Sequence, residues 1–311
     1  MRSSEGTKDK SIRKKYDLSV TSKNNPLAWL FAAPVIIGIF LFTFVPVVTS
    51  LYFSFTENDF FNPVVWVGWA NYERIFTTDF EIVFSSLWRT AKYTLLSVPS
   101  GLILSYLLAV FLNQKVKGVG VLRILYYLPC IMPAIVGSMI SQDIFNVEYG
   151  IINRIFELVG LPRSEFYNNA KSAMPTLIIG GWWGCSGGMI LWLAQLKAIP
   201  PHLYEAAKLD GCGPFKGFCY ITVPFSTPMI FYNLVTGLIG GLQVFSNVLL
   251  LTGTVGGPDD ALMFYNSYIY QVAFQRLNMG YASALSWIMF FIVGLLTLLM
   301  FKTSKWVQFG E

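Results

Sequence analysis

The sequence predicts an all-α integral membrane protein with six spans. Composition, clustering of the apolar residues and sidedness of the charges each point there. Hydrophobic residues make up 54% of the 311 and charged residues 13%, where a soluble domain carries about 25% charged. A spanning helix needs roughly 20 mostly apolar residues, rising 1.5 Å each across about 30 Å of hydrocarbon. Six runs qualify: 28–52, 93–112, 124–142, 174–196, 223–252 and 281–301. None contains Asp, Glu, Lys, Arg or His.

The elements follow in order. Residues 1–25 are polar and Lys/Ser-rich, which predicts a disordered or surface-lying cytoplasmic tail. The first apolar run has 25 uncharged residues. That exceeds the roughly 7–15 of a signal-peptide core, and no A-x-A site closes it, so it reads as a span. The loop 57–92 contains "WVGWANYERIF". In the loop 143–173, Ile151, Ile152, Ile155, Phe156 and Val159 fall on one helical stripe, which Gly160 and Pro162 end. That helix is expected at the outer face or membrane interface. The fifth run carries Pro224, Pro228 and several glycines, and is long enough to tilt or kink.

Six spans put both termini on one side. The N-tail, the loop 113–123, the loop 197–222 and the segment after Phe301 hold 15 of the 22 Lys and Arg. The three opposite loops hold 11 of the 17 acids. The positive-inside rule then places both termini in the cytoplasm. The net charge of +5 reads as topology and not as nucleic-acid binding. Cys130 and Cys185 lie in spans, while Cys212 and Cys219 face the reducing cytoplasm, so no disulfide framework is expected. His202 is the single histidine, which leaves no metal set.

The cytoplasmic loop 197–222 stands apart. Pro200-Pro201 can start a helix, because a first-turn proline forfeits no intrahelical bond. "HLYEAAKL" supplies helix formers, Gly211 a C-terminal stop, and Pro214 a second short helix before Pro224. The result is a helix–turn–helix elbow. Glu205 and Asp210 are the only cytoplasmic acids between the first and last spans. The elbow fits either a solvated amphipathic loop or a dock, where small Ala and Gly residues allow close approach and the acids meet basic side chains.

Glu205-Ala206-Ala207 and Gly211 are followed by Ile221-Thr222-Val223-Pro224, with Asp210-Gly211-Cys212, Phe215 and Phe218 among them. This set resembles the E-A-A-x-x-x-G…I-x-L-P loop of bacterial ABC importer permeases with the sugar-importer additions; Cys212 stands for alanine and Val223 for leucine. "WVGWANYERIF" resembles that family's outer G-L-x-N-Y motif with Trp69 for leucine, and "LYYLPCIMPAIV" the start of its third span. Residues 256–287 resemble the G-G-P…Y-I-Y-x-x-A-F…G-Y-A-S-A-L run that typifies the larger, first permease of carbohydrate systems similar to the maltose and glycerol-phosphate importers.

The resemblance covers about residues 26–305. It implies a type I importer permease in a bacterial cytoplasmic membrane, with a coupling loop at 197–222 and a short cytoplasmic tail at 306–311. The implied partners are a second homologous permease, two ATP-binding subunits on the coupling loop, an extracellular solute-binding protein and a sugar. Glu205 would sit in the ATPase groove and pair with a basic or amide donor, Asp210 would belong to the same coupling set, and Gly211 would allow the sharp turn. Tyr204, Ala206, Ala207, Leu209 and Phe215 would supply contact surface. The chain has no phosphate loop, so it is expected to be no enzyme and to hold no cofactor; ATP and Mg would belong to the partner subunits.

Carried over by position, the sugar-lining face falls on Gly184 and Gly187 in span four, and on Gly237, Gly240, Gly241 and Val244 in span five. Trp182, Trp183, Gln243 and Asn247 could supply stacking and hydrogen bonds there. The same glycines fit helix packing of the small-xxx-small kind. A secondary transporter or channel is disfavoured, because ion coupling usually marks itself by ionisable residues inside spans. A membrane enzyme would need a nucleophile–base set that the sequence lacks. A non-sugar solute remains the alternative cargo.

Overall fold

The computed structural model describes residues 26–114 and 117–307. The expected tail 1–25 and residues 308–311 lie outside the described residues. The chain divides into two units, Met1–Tyr52 and Phe53–Glu311. The described residues begin with α1 (Pro26–Ile39), which runs into a π-turn at Phe40–Phe44 and then α2 (Val45–Ser54). The Val45 N–H donates to the Phe40 carbonyl, and Pro46 follows. Proline lacks an N–H and crowds the carbonyl four residues back, so a widened turn ahead of it relieves the clash.

The second unit holds a two-residue antiparallel ribbon, β1 (Thr56–Glu57) with β2 (Val65–Trp66), then α3 (Ala70–Phe76) and α4 (Phe80–Leu112). Next come α5 (Val119–Ile131), α6 (Ala134–Ile144), α7 (Ile151–Leu158), α8 (Ala170–Gly181), a 3₁₀ segment at Trp182–Gly188 and α9 (Met189–Ala198). The elbow comprises α10 (Pro201–Leu209) and α11 (Pro214–Gly217), which leads through a π-turn (Phe218–Thr222) into α12 (Val223–Phe225). The chain ends with α13 (Thr227–Leu242), α14 (Ser246–Thr252), α15 (Tyr265–Tyr270) and α16 (Met279–Lys302). Among the described residues three helices are long and apolar enough to cross a membrane, at Trp29–Ser54, Phe80–Leu112 and Met279–Lys302. Three bent pairs pass the same test together, giving up to six spans.

Four expected spans differ in detail; the fourth is the pair α8 and α9, bent by 54° across the 3₁₀ segment. The second begins at Phe80, not 93, because the charges of Glu81, Arg89 and Lys92 do not stop a helix. At 33 residues it is about 50 Å long and outreaches the hydrocarbon. The third is two helices bent by 107° at Met132–Pro133. Met132 is extended (φ −70°, ψ 140°), as the residue before proline is driven to be. The fifth bends by 63° between α12 and α13, then breaks again between Leu242 and Ser246. At the bend, Pro228 cannot serve the Pro224 carbonyl, and the Thr227 hydroxyl donates to it instead at 2.8 Å. The Gln195 amide of α9 donates to the Phe225 carbonyl at 2.7 Å. Bent helices persist in a bilayer when freed backbone groups are satisfied this way.

On the predicted outer side, the two motif runs far apart in sequence pack together. Ile75 and Val83 share a buried cluster with Tyr265, Tyr268, Tyr281 and Leu285. Arg74 pairs with Asp79 at 2.8 Å and stands 4.3 Å above the Tyr281 ring. Asn71 donates to the Ser54 and Thr56 carbonyls. A Cβ at Gly280 would lie 2.0 Å from the Thr56 carbonyl oxygen, so only glycine fits there. The expected loop helix forms as α7, with Gly160 at φ 76° past its end. It is anchored by a polar residue: buried Asn153 donates to the Val147 and Ser164 carbonyls and accepts from the Ser164 N–H. Ile151, Ile155 and Val159 of its apolar stripe stay exposed.

Candidate functional site

Local chemistry defines both ends of the elbow's first helix. Pro201 occupies the first helical position of α10. At the other end the Cys212 N–H donates to the Ala207 carbonyl at 2.8 Å and the Gly211 N–H to the Lys208 carbonyl at 3.1 Å. With Gly211 at φ 75°, this is a Schellman stop, whose left-handed residue strongly favours glycine. Leu203 and Tyr204 pack on the cluster of Tyr106, Leu112, Trp192 and Leu196. The Tyr204 hydroxyl lies 2.9 Å from Thr222 Oγ1.

These contacts sort the candidate coupling residues into two faces. Tyr204 and Ala207 are half-buried on the face toward the bundle. Glu205, Ala206, Asp210 and Gly211 are exposed, and so are Leu209 at 90% and Phe215 at 78%. Glu205, Lys208 and Asp210 form no ion pair among the described residues. Two large apolar side chains and two carboxylates are thus exposed together on an element predicted to face water. Tyr220, in the π-turn that follows α11, is also exposed, at 76%. Sequence reading passed over Tyr220 because a π-turn shifts the helical register that would have assigned its face.

The second feature is a groove of about 610 Å³ in the second unit. It brings together Trp182, Gly184, Gly237, Gly240, Gly241, Gln243, Val244 and Asn247. The 3₁₀ segment between α8 and α9 and the break between α13 and α14 both open onto it. Non-helical backbone is tolerated at membrane depth only where it is buried in protein or lines a cavity. Among the described residues no Asp, Glu, Lys, Arg or His lines the groove. Its polar groups are amides and hydroxyls: Gln243, Asn247, Asn233, Ser97, Ser105, Ser246 and Tyr93. Trp182 is fixed by its indole N–H, which donates to Ser100 Oγ at 3.0 Å. The surroundings of Gly187 lie outside the described residues. Trp183 points elsewhere, into an apolar groove of about 460 Å³ with Leu104, Leu122 and Pro129.

The glycines divide as well. A Cβ at Gly237 would lie 2.9 Å from Val98 Cγ1, and one at Gly241 would lie 2.8 Å from Thr94 Cγ2. Both are contact points against α4 whose backbone borders the groove. Gly240 and Gly184 meet nothing within 4 Å and open to space. The contribution of α4 was missed from sequence: Ser97, Gly101 and Ser105 line the groove. Their four-residue spacing was the available signal. Among the described residues no three His, Cys, Asp or Glu side chains group as a metal set.

The family model described as binding-protein-dependent transport system inner membrane component matches residues 82–308. The probable ABC transporter permease protein YesP of Bacillus subtilis is 40% identical over 290 residues, covering 92% of this chain and 93% of that protein. The trehalose/maltose transport system permease protein MalF of Thermococcus litoralis is 30% identical over 298 residues, covering 93% and 98%. Among solved structures, a chain of a bacterial alginate ABC transporter, in complex with an alginate pentasaccharide-bound periplasmic protein, superposes with a TM-score of 0.77. It has 21% identity and covers 90% of this chain and 94% of that one. At that identity the likeness speaks to the fold.

Proposed function

This chain belongs to the inner-membrane components of binding-protein-dependent transport systems, and from that premise we propose that it is the permease subunit of an importer that takes up a neutral sugar or oligosaccharide. One observation carries the cargo class. The groove at two helix breaks is lined by amides, hydroxyls and aromatic rings and, among the described residues, by no charged side chain. A sugar leaving water needs hydrogen-bond partners for each hydroxyl, since a buried unsatisfied group costs about 1–3 kcal/mol. Gln243, Asn247, Asn233, Ser97 and Ser105 supply such partners, and Trp182 and Tyr93 supply flat apolar faces. An anionic or cationic solute would find no counter-charge. The relative named for trehalose and maltose agrees with this class.

ATP-binding subunits dock on the exposed face of the elbow in this reading, with Glu205, Ala206, Leu209, Asp210 and Phe215 as the contact. They bring the ATP and Mg, and this chain supplies only the lever. Closure of the ATPases then moves the elbow and the bent spans as bodies, opening and closing the groove. Both termini are cytoplasmic, a second permease completes the passage, and an extracellular binding protein delivers the solute. An uptake screen of the intact complex tests the cargo class, with labelled mono- and oligosaccharides beside amino acids. Saturable uptake of a neutral saccharide is expected. Uptake of an amino acid and of no saccharide would overturn the assignment.

A further inference from the structure

A line of hydrogen bonds runs from the elbow into the bundle across the π-turn and the bend that follow it. The Tyr204 hydroxyl of α10 lies 2.9 Å from Thr222 Oγ1. Thr222 closes the π-turn, and its carbonyl accepts from Ser226 Oγ at 2.7 Å. Ser226 Oγ in turn accepts from the Tyr106 hydroxyl of α4 at 3.0 Å. Ser226 is fully buried, and Tyr106 and Thr222 are 7% and 8% exposed. The line spans the π-turn, Pro224 and the 63° bend. The π-turn ends at the dipeptide Val223-Pro224, as the turn in the first unit ends at Val45-Pro46. The proline therefore sets the turn that brings Thr222 under Tyr204.

A widened turn next to a bend is where a lever would flex. We infer that Tyr106, Thr222 and Ser226 are positioning residues that lock the elbow, the π-turn and α4 into one body, so that a push on α10 displaces span five instead of bending the joint. The inference rests on the reading of the elbow as the ATPase dock. The hydroxyls touch neither the groove nor the exposed face of the elbow, so their loss should spare assembly and cargo binding and act on coupling alone.

The test uses the full complex in proteoliposomes, measuring ATP hydrolysed per solute imported. Thr222→Val removes the hydroxyl at constant shape, and Thr222→Ser keeps it. Thr222→Val and Tyr106→Phe should assemble at wild-type yield with unchanged basal hydrolysis. Their ATP-to-solute ratio should rise about fivefold, the factor that one net hydrogen bond sets on a local opening equilibrium. Thr222→Ser should keep the wild-type ratio. The double variant should be no worse than the poorer single, because links in series fail at the first break. Ser226→Ala replaces Tyr106→Phe if that variant does not assemble. Wild-type ratios in the hydroxyl-deleted variants, a Thr222→Ser as damaged as Thr222→Val, or multiplicative losses in the double variant would each overturn the inference. If ATPase subunits co-purify and the ratios stay normal, the lock alone is wrong. If the wild-type chain retains no ATPase subunits, the docking reading falls and the lock with it.

Discussion

Gly240 and Gly241 are adjacent, and the structure predicts opposite outcomes on substituting them. A methyl group at Gly241 would lie 2.8 Å from Thr94 Cγ2 and 3.1 Å from both Thr94 Oγ1 and Val98 Cγ2, where ordinary contact begins at 3.4 Å. Neither neighbour yields easily. Thr94 is 2% exposed and its hydroxyl donates to the Thr90 carbonyl at 2.8 Å. Val98 is β-branched and held to one rotamer in a helix. Helix α13 must therefore shift off α4, at the roughly 1–3 kcal/mol that overpacking costs. Gly241→Ala should lower the melting temperature of the purified complex by roughly 2–4 °C for each kcal/mol. At Gly240 nothing lies within 4 Å. Gly240→Ala should leave melting unchanged or raise it slightly, since alanine is the better helix former. Gly240→Leu should leave complex recovery intact and abolish uptake by filling the groove. A Gly241→Ala complex as stable as wild type, or a Gly240→Leu complex with normal uptake, would refute this assignment of the two glycines.

Three further outcomes are expected. Glu205→Lys should insert normally but lose ATPase co-purification, because breaking a charge pair buried at an interface costs about 2–5 kcal/mol; retention of the ATPases at wild-type stoichiometry would remove Glu205 from the dock. A single cysteine placed in 143–173 should react with an impermeant thiol reagent added outside intact cells, and one placed after Lys302 should not; the reverse pattern would invert the topology. Gly280→Ala should abolish stable expression, since its methyl would fall on the Thr56 carbonyl; a yield equal to wild type would show that the ribbon moves freely away from α16.

The sequence by itself determined the helical membrane class, the elbow with its proline start and glycine stop, and the helix at 151–158. Those follow from local chemistry: the length of an apolar run, a missing proline N–H, the left-handed freedom of Gly211. Tertiary structure decided the rest. It broke the third, fourth and fifth runs; in the fifth, where a proline kinks the helix depends on which neighbours catch the freed carbonyls, as Gln195 and Thr227 do. It brought Ser97, Gly101 and Ser105 of α4 to the groove and took Trp183 away from it. It also set Gly237 and Gly241 against Val98 and Thr94, and left Gly240 open. In water the polar face of a helix reports its orientation. A helix apolar all round carries no such stripe, and lipid is as apolar as a packed neighbour. The composition of a span therefore cannot say which of its faces meets another helix, a passage or the bilayer.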